Sequence, residues 1–526
     1  MKTKGALIAL ILLPLVSYGQ EGWDQRINDG FANATSWFVD AIFAEIPITA
    51  EVGIPWVLIV LLFGASYFTL YFRGINLRRF GTSIRIIQGK YDALESTYPI
   101  EVSDTVYTRE GDQPDTIRKE GSHGEVTHFQ ALTAAISATV GLGNIAGVAI
   151  ALSIGGPGAT FWMILVGLLG MASKFVECTL GVAYREIDEN GKVFGGPMYY
   201  LKKGLGEKGF GKLGRLLAVL FSIMCIGGSF GGGNMFQVNQ AFKLFEHVTG
   251  GETSFIHGSG WLFGLLMAIL VGIVIIGGIK KIAQVTDKIV PVMVVTYVLA
   301  VIIVLGVNYE AIPAAFRSIF NGAFTGEGVI GGFLGVLIQG FRRAAFSNEA
   351  GIGSSSIAHS AVKTRYAASE GLVALLEPFI DTVVVCTMTA LVLIVSGQLV
   401  VGAQLSDAQG VVLTANALKS GISWFPYLLS FAVILFAFSS MISWSYYGYQ
   451  AWSFLFGRSK RAEYIYKLIF CLFVIVGAAA GLEAVTDFSD AMIFAMLVPN
   501  MIGLFILLPK VRDELGLYLS AMKTAK

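Results

Sequence analysis

Apolar and polar positions alternate along this chain on the scale of membrane crossings. Eleven long apolar stretches lie at about 53–72, 129–154, 160–183, 214–243, 260–279, 289–306, 329–358, 369–397, 424–456, 464–481 and 486–508, with polar connections between them. A helix needs about 20 apolar residues to cross hydrocarbon, so the pattern predicts an all-α, polytopic membrane protein of about eleven spans. Ahead of the spans, residues 1–19 pass from Lys2 and Lys4 through a short apolar core to Ser17 and Gly19. That is the layout of a cleavable signal peptide. It predicts that residues 20–52 lie outside the cytoplasm.

The basic residues give the spans a direction. The connection at 73–128 begins with Arg73, Arg78, Arg79 and Arg85. Alternate connections later in the chain hold Lys202 and Lys203, Lys280 and Lys281, Lys363 and Arg365, Arg458 and Lys460, then Lys510 and Arg512. The connections between these carry few: Arg26, Lys243, Arg317 and Lys419. The positive-inside rule assigns the rich set to the cytoplasm. The mature N-terminus is then expected outside, and the C-terminal segment 509–526 inside.

Composition agrees, and it removes several function classes. The chain has 526 residues, 55% apolar and 14% charged, against about 25% charged in a soluble chain. A net charge of +1 gives no reason to expect a nucleic-acid partner. Cys178, Cys225, Cys386 and Cys471 all lie in apolar runs without a CxxC pair, so reduced, buried thiols are expected. The histidines are scattered without metal-ligand spacing, the serines at 354–356 lack an adjacent base, and no P-loop appears that would point to ATP-driven transport. An integral membrane enzyme would need acids or histidines gathered at one membrane face, and the sequence does not show them.

Two spans interrupt themselves. ATVGLGNIAGVAIALSIGGPG, residues 138–158, sets Gly141, Gly143 and Gly147 around Asn144; GFRRAAFSNEAGIGSSSIAHS, residues 340–360, sets Gly351 and Gly353 beside Ser347, Asn348 and Glu349. Each glycine costs a helix about 1 kcal/mol relative to alanine. Irregular backbone at membrane depth survives only where it lines a cavity or is buried in protein. Paired breaks in two halves of a chain point to a transporter site near the midplane. An unwound helix frees N–H groups that suit a carboxylate and carbonyl oxygens that suit a hard cation. Gly143 and Gly147 also form a small-xxx-small pair that close helix packing would use. The five spans in 129–306 and the five in 329–508 each begin with the broken one and start from opposite sides, which predicts inverted five-helix repeats.

TVGLGNIAGVAIALSIGGPGATFW at 139 resembles the signature of the alanine or glycine:cation symporter (sodium:alanine symporter) family. So do KFVECTLGVAYRE at 174, GGPMYYLKKGLG at 195, GGGNMFQVNQ at 231, SNEAGIGSSSIAHS at 347, EGLVALLEPFIDT at 370 and WSYYGYQAWSFLFG at 444. The resemblance covers about residues 30–510. It implies a LeuT-type fold with one extra N-terminal span at 53–72, in a bacterial-type cell (inner) membrane, importing a small neutral amino acid with Na⁺. Alanine and glycine are both open as substrates, and so is H⁺ in place of Na⁺. Leu142 stands where the family usually has threonine between the glycines.

The same resemblance places Gly143, Asn144, Gln237, Ser440 and Trp444 at the substrate. It places Na⁺ between the Ser137 and Val140 carbonyls and the Ser439 and Ser440 hydroxyls. Charges inside spans are functional candidates by default. Of Arg342 and Arg343, one is expected to close an outer gate and the other to snorkel. Glu349 is expected to accept N–H bonds at the second break, with Gly141 and Gly351 supplying the backbone freedom. Lys174 and Glu177 read as a self-neutralising pair one helical turn apart. Glu377 and Asp381 share one face of the next span, either as a proton path or as buried hydrogen-bonding groups.

Overall fold

The computed structural model describes residues 23–48, 53–96, 125–189, 191–325, 332–402, 410–421 and 423–524. The expected signal segment and most of the polar stretch at 90–127 lie outside the described residues. The first half of the chain forms α1 (Trp23–Ile42), α2 (Trp56–Tyr71), α3 (His128–Thr139), α4 (Gly143–Gly155), α5 (Ala159–Ala183), α6 (Pro197–Glu207), α7 (Gly211–Val248), α8 (Gly260–Ile275) and α9 (Gly278–Val307). The second half forms α10 (Ile312–Thr325), α11 (Gly332–Asn348), α12 (Ser355–His359), α13 (Ala367–Val395), α14 (Val411–Lys419), α15 (Phe425–Phe456), α16 (Lys460–Ala479) and α17 (Leu482–Thr524). Three short helices follow α2, at Ile75–Arg78, Phe80–Ile87 and Asp92–Ser96, and there are two small antiparallel hairpins, β1 (Glu45–Pro47) with β2 (Gly53–Pro55) and β3 (Glu186–Ile187) with β4 (Val193–Phe194).

Among the described residues, seven helices are long and apolar enough to cross a membrane, and the bent pair α3–α4 makes an eighth if counted as one span. The described part of each of the eleven apolar stretches lies mostly on helix, but the helices differ in length. α2 and α8 are 16 residues each, about 24 Å at 1.5 Å per residue, against a hydrocarbon core of about 30 Å. α11 carries Arg342 and Arg343. The chain is a multi-pass membrane protein. α17 runs for 43 residues, with Pro499 and Pro509 inside it, and takes in residues 509–524 that the sequence pattern left as a tail. Its C-terminal end is anchored by Tyr518, buried and in ring contact with Tyr366 at 5.4 Å.

Local chemistry sets the elements that matter for the site. Thr127 caps α3: its hydroxyl accepts from Gln130 N at 3.2 Å while Gln130 Oε1 accepts from Thr127 N at 3.1 Å, a reciprocal capping box. α1 docks on the α16–α17 corner. Asn28 Oδ1 accepts from Gly481 N at 2.8 Å, and Phe31 meets Phe488 edge-on at 5.0 Å.

Candidate functional site

The first break is built by substitution of hydrogen-bond partners. In an unbroken helix, Gly141 N would donate to the carbonyl of Ser137 and Leu142 N to that of Ala138. Here Gly141 N donates to Asn144 Oδ1 at 2.9 Å and Leu142 N to Gln237 Oε1 at 3.2 Å. The Ser137 carbonyl accepts from Ser440 Oγ at 3.1 Å. α3 and α4 meet there at 50°. Three side chains have taken over what the helix gave up, so the break carries no unpaired amide at these positions. A Cβ on Gly141 would lie 2.5 Å from Ser440 Oγ and 3.2 Å from Gln237 Oε1, so only glycine lets α3, α7 and α15 approach this closely.

A ring of hydroxyls joins α3 to α15. Ser137 Oγ lies 2.6 Å from Ser439 Oγ, and Ser443 Oγ donates to Ser137 Oγ at 3.0 Å. Ser137, Ser439 and Ser440 are fully buried. Hydroxyl and carbonyl oxygens gathered at the C-terminal, negative end of a half-helix are the donors a hard monovalent cation takes. Val140 lines a narrow cleft beside them with Gly141, Asn144, Tyr297, Val385 and Phe436.

Asn144 also reaches across to the second half of the chain. Its Nδ2 donates to Asp381 Oδ1 at 2.6 Å and to Ser347 Oγ at 3.1 Å, and Ser347 Oγ donates to Asp381 Oδ2 at 2.7 Å. Sequence reasoning did not place Ser347 at the site, and it left Asp381 open between two roles. The available signal was a carboxylate in mid-span, but only the fold shows that it faces Asn144.

The second break differs in design. Glu349 has φ +55, Gly351 +84 and Gly353 +99; for a glutamate that is strained backbone. Its amide still closes on the Ala345 carbonyl at 3.0 Å. The expected acceptor role falls to Asn348 instead, whose Oδ1 accepts from Ala350 N at 2.9 Å. The Glu349 carboxylate accepts from the Ser354 hydroxyl, and Asn500 Nδ2 donates to the Gly351 carbonyl at 2.8 Å. Phe346, just before this break, packs against Gly143 of the first.

Three widened, π-helical segments occur among the described residues: Gly143–Gly147, Gly231–Met235 and Phe379–Cys386. The first holds Asn144, the second ends two residues before Gln237, and the third holds Asp381. Such segments re-aim side chains and recur at functional sites. Trp444 takes a neighbouring place. It is buried against Gly228 and Gly233 of α7 and meets Tyr447 edge-on at 5.3 Å, where a Cβ on Gly233 would fall 2.2 Å from its ring.

Arg342 and Arg343 share one acidic partner. Arg342 donates to Asp490 Oδ2 at 2.6 Å and to Asp487 Oδ1 at 3.0 Å; Arg343 pairs with the same Asp490 oxygen. Arg343 is 3% exposed and so does not snorkel. The Arg342 guanidinium stacks 4.3 Å from the Phe43 ring, just past α1.

The family model described as "Sodium:alanine symporter family" matches residues 38–526. The sodium/alanine symporter AgcS of Methanococcus maripaludis is 40% identical over 389 residues, covering 74% of this chain and 83% of the relative. The amino-acid carrier protein AlsT of Bacillus subtilis is 34% identical over 393 residues, covering 74% and 79%. The crystal structure of MhsT in complex with L-phenylalanine superposes with a TM-score of 0.52 at 17% identity, covering 74% of this chain and 90% of that one; this likeness concerns the fold, which is of the LeuT type. A family match along nearly the whole chain, falling on a bundle with two broken helices, has one reading: the chain belongs to the sodium:alanine symporter family, whose members are cation-coupled carriers of amino acids.

Proposed function

We propose that this protein imports a small neutral amino acid, alanine or glycine, together with Na⁺, by alternating access. The observation that carries this reading is the exchange of partners at the first break. The Ser137 carbonyl has left its helix for the Ser440 hydroxyl, and Ser137 and Ser439 share a buried contact. Na⁺ held by the Ser137 and Val140 carbonyls and the Ser439 and Ser440 hydroxyls would tie α3 to α15, and the geometry of the break would then follow cation occupancy. The substrate carboxylate sits against the N-terminal end of α4 at Gly143 and Asn144, where the half-helix dipole is positive. Gln237 braces Leu142 from α7, and Phe346 and Trp444 bound the volume left for a side chain. Ser347 and Asp381, bonded to Asn144, extend the oxygen set on the other side. The name of the Methanococcus relative, a sodium/alanine symporter, supports both cargo assignments.

The orientation puts the mature N-terminus outside and the C-terminus in the cytoplasm, with α3–α9 and α11–α17 as inverted repeats. The Arg342–Arg343–Asp490 cluster then lies on the outer side, as the outer gate. Uptake of labelled alanine and glycine into proteoliposomes, with and without an inward Na⁺ gradient, tests the proposal. Accumulation that requires the gradient is expected; uptake indifferent to Na⁺ overturns the coupling.

A further inference from the structure

Below the second break, α3, α5, α12 and α13 share a cluster of charged side chains that the transport site does not use. Lys174 of α5 pairs with Glu377 Oε1 of α13 at 3.0 Å and approaches Glu177 at 3.9 Å. Ser355 of α12 bonds both Lys174 and Glu377. His359 Nδ1 of α12 meets Glu370 Oε1 at 2.5 Å, and the other Glu370 oxygen is held by His128, the first residue of α3. Lys174, Glu177, Glu370, Glu377 and His359 have no exposure; the His128 side chain is 11% exposed.

Two features point to a bound proton. His359 Nε2 and Glu377 Oε2 face each other at 3.6 Å, both buried and without a hydrogen-bond partner. The cluster also sets a single ammonium, Lys174, against the ion-paired carboxylates of Glu370 and Glu377, so neutral imidazoles would leave negative charge uncompensated in a low-dielectric interior. Among the described residues, the other titratable groups facing the cluster include Cys178 of α5, Tyr200 of α6, Asp381 of α13 and Tyr447 of α15. None of these adds positive charge.

We propose that the chain His128–Glu370–His359–Glu377 is a proton-binding site that latches the inner half of the broken helix, α3, to α13. The latch rests on the proposed orientation, which turns His128 toward the cytoplasm. With protons bound, the imidazoles neutralise Glu370 and Glu377 and α3 stays docked. Loss of a proton through His128 leaves like charges facing one another, and the inner side opens. Each carboxylate keeps its electrons throughout; only a proton passes to water.

Cys386 gives a readout that does not need transport, because its Sγ lies 3.3 Å from Asn144 Nδ2 at the site. With the other three cysteines replaced by serine, labelling of Cys386 by an impermeant thiol reagent from the inner face should accelerate about tenfold more than a free thiol between about pH 6 and pH 8.5. Glu370→Gln should reduce that excess to less than about twofold. If that variant fails to reach the membrane, His128→Gln, at the cluster's exposed edge, decides the matter in the same way. A parent protein whose labelling follows the free thiol, or a variant that keeps the full excess, overturns the latch. Alanine exchange measured in the same vesicles separates the two readings. Absent exchange with pH-gated labelling overturns the transport reading alone, and pH-blind labelling with intact exchange overturns the latch alone.

Discussion

Single residues at the first break do work that neighbouring types cannot. Asn144 is acceptor for Gly141 N and donor to Ser347 and Asp381. Asn144→Ala would strip the donor from Asp381 Oδ1 and the acceptor from the Gly141 amide, a cost of about 1–3 kcal/mol per group. Alanine uptake should fall at least about tenfold while the variant still elutes as a folded species in size exclusion. Gly141→Ala drives a methyl into Ser440 Oγ at 2.5 Å. Its expected mark is weaker apparent Na⁺ affinity, about tenfold in the Na⁺ concentration for half-maximal uptake, because Ser440 must give way. Gly141 and Asn144 were legible in sequence: glycines and an amide have no cheap reason to interrupt an apolar run. The packing of Trp444 was not, because a tryptophan's place along a span does not show that its ring lies on the glycine patch of α7.

At the scale of elements, the helix breaks were visible in sequence and the π-helical segments were not. A break needs glycine and leaves a compositional trace, whereas widening a turn by one residue needs no special residue type, as FIDTVVVC in α13 shows. Asp381 therefore looked like one more face-sharing acid. The same limit applies to the arginines. Their depth was legible, but both pair with α17, nearly 150 residues on, and no pattern in the chain indicates that. Asp490→Asn would leave Arg343 buried beside Arg342 with its counter-charge gone, a loss of about 3–5 kcal/mol by the usual cost of breaking a buried pair. A markedly lower thermal unfolding midpoint in detergent is the expected result. At the cytoplasm-assigned face, Glu186 joins the β3–β4 hairpin to the α15–α16 connection. Partial burial raises its pKa, but hydrogen bonds from Arg458 and Lys203 outweigh that and hold the carboxyl below its ordinary value. A lowered folded-state pKa contributes stability above the unfolded value and loses it as pH falls through the folded one. Glu186→Gln should thus lose part of the acid-side decline in stability seen in a pH series of melting curves and leave the alkaline side unchanged. The effect is small, because the pair is solvent-screened.

For the whole molecule, cation binding and stability are linked. The proposed cation, tying α3 to α15, would bind the folded bundle alone, and at about one hundred times its dissociation constant it would add about 2.7 kcal/mol. The melting temperature should rise with added Na⁺ and not with K⁺ at equal ionic strength, and Ser439→Ala should abolish the difference. Membrane class and the two broken helices could be read from the apolar pattern, since hydrocarbon thickness leaves a chain few choices. The hydrogen-bonded joins between the halves, Asn144 to Asp381 and Arg343 to Asp490, could not, because they depend on which helix lies beside which. α17 touches both the arginine cluster and the second break: Asp490 binds the paired arginines, Asn500 binds the Gly351 carbonyl, and Pro499 lies between them in the chain. Proline cannot donate the backbone hydrogen bond that a helix would otherwise make at that point, so the rod is one bond weaker between the two contacts. Replacing it with alanine restores that bond and should stiffen the lever, recognisable by slower exchange in a protein that melts at a higher temperature.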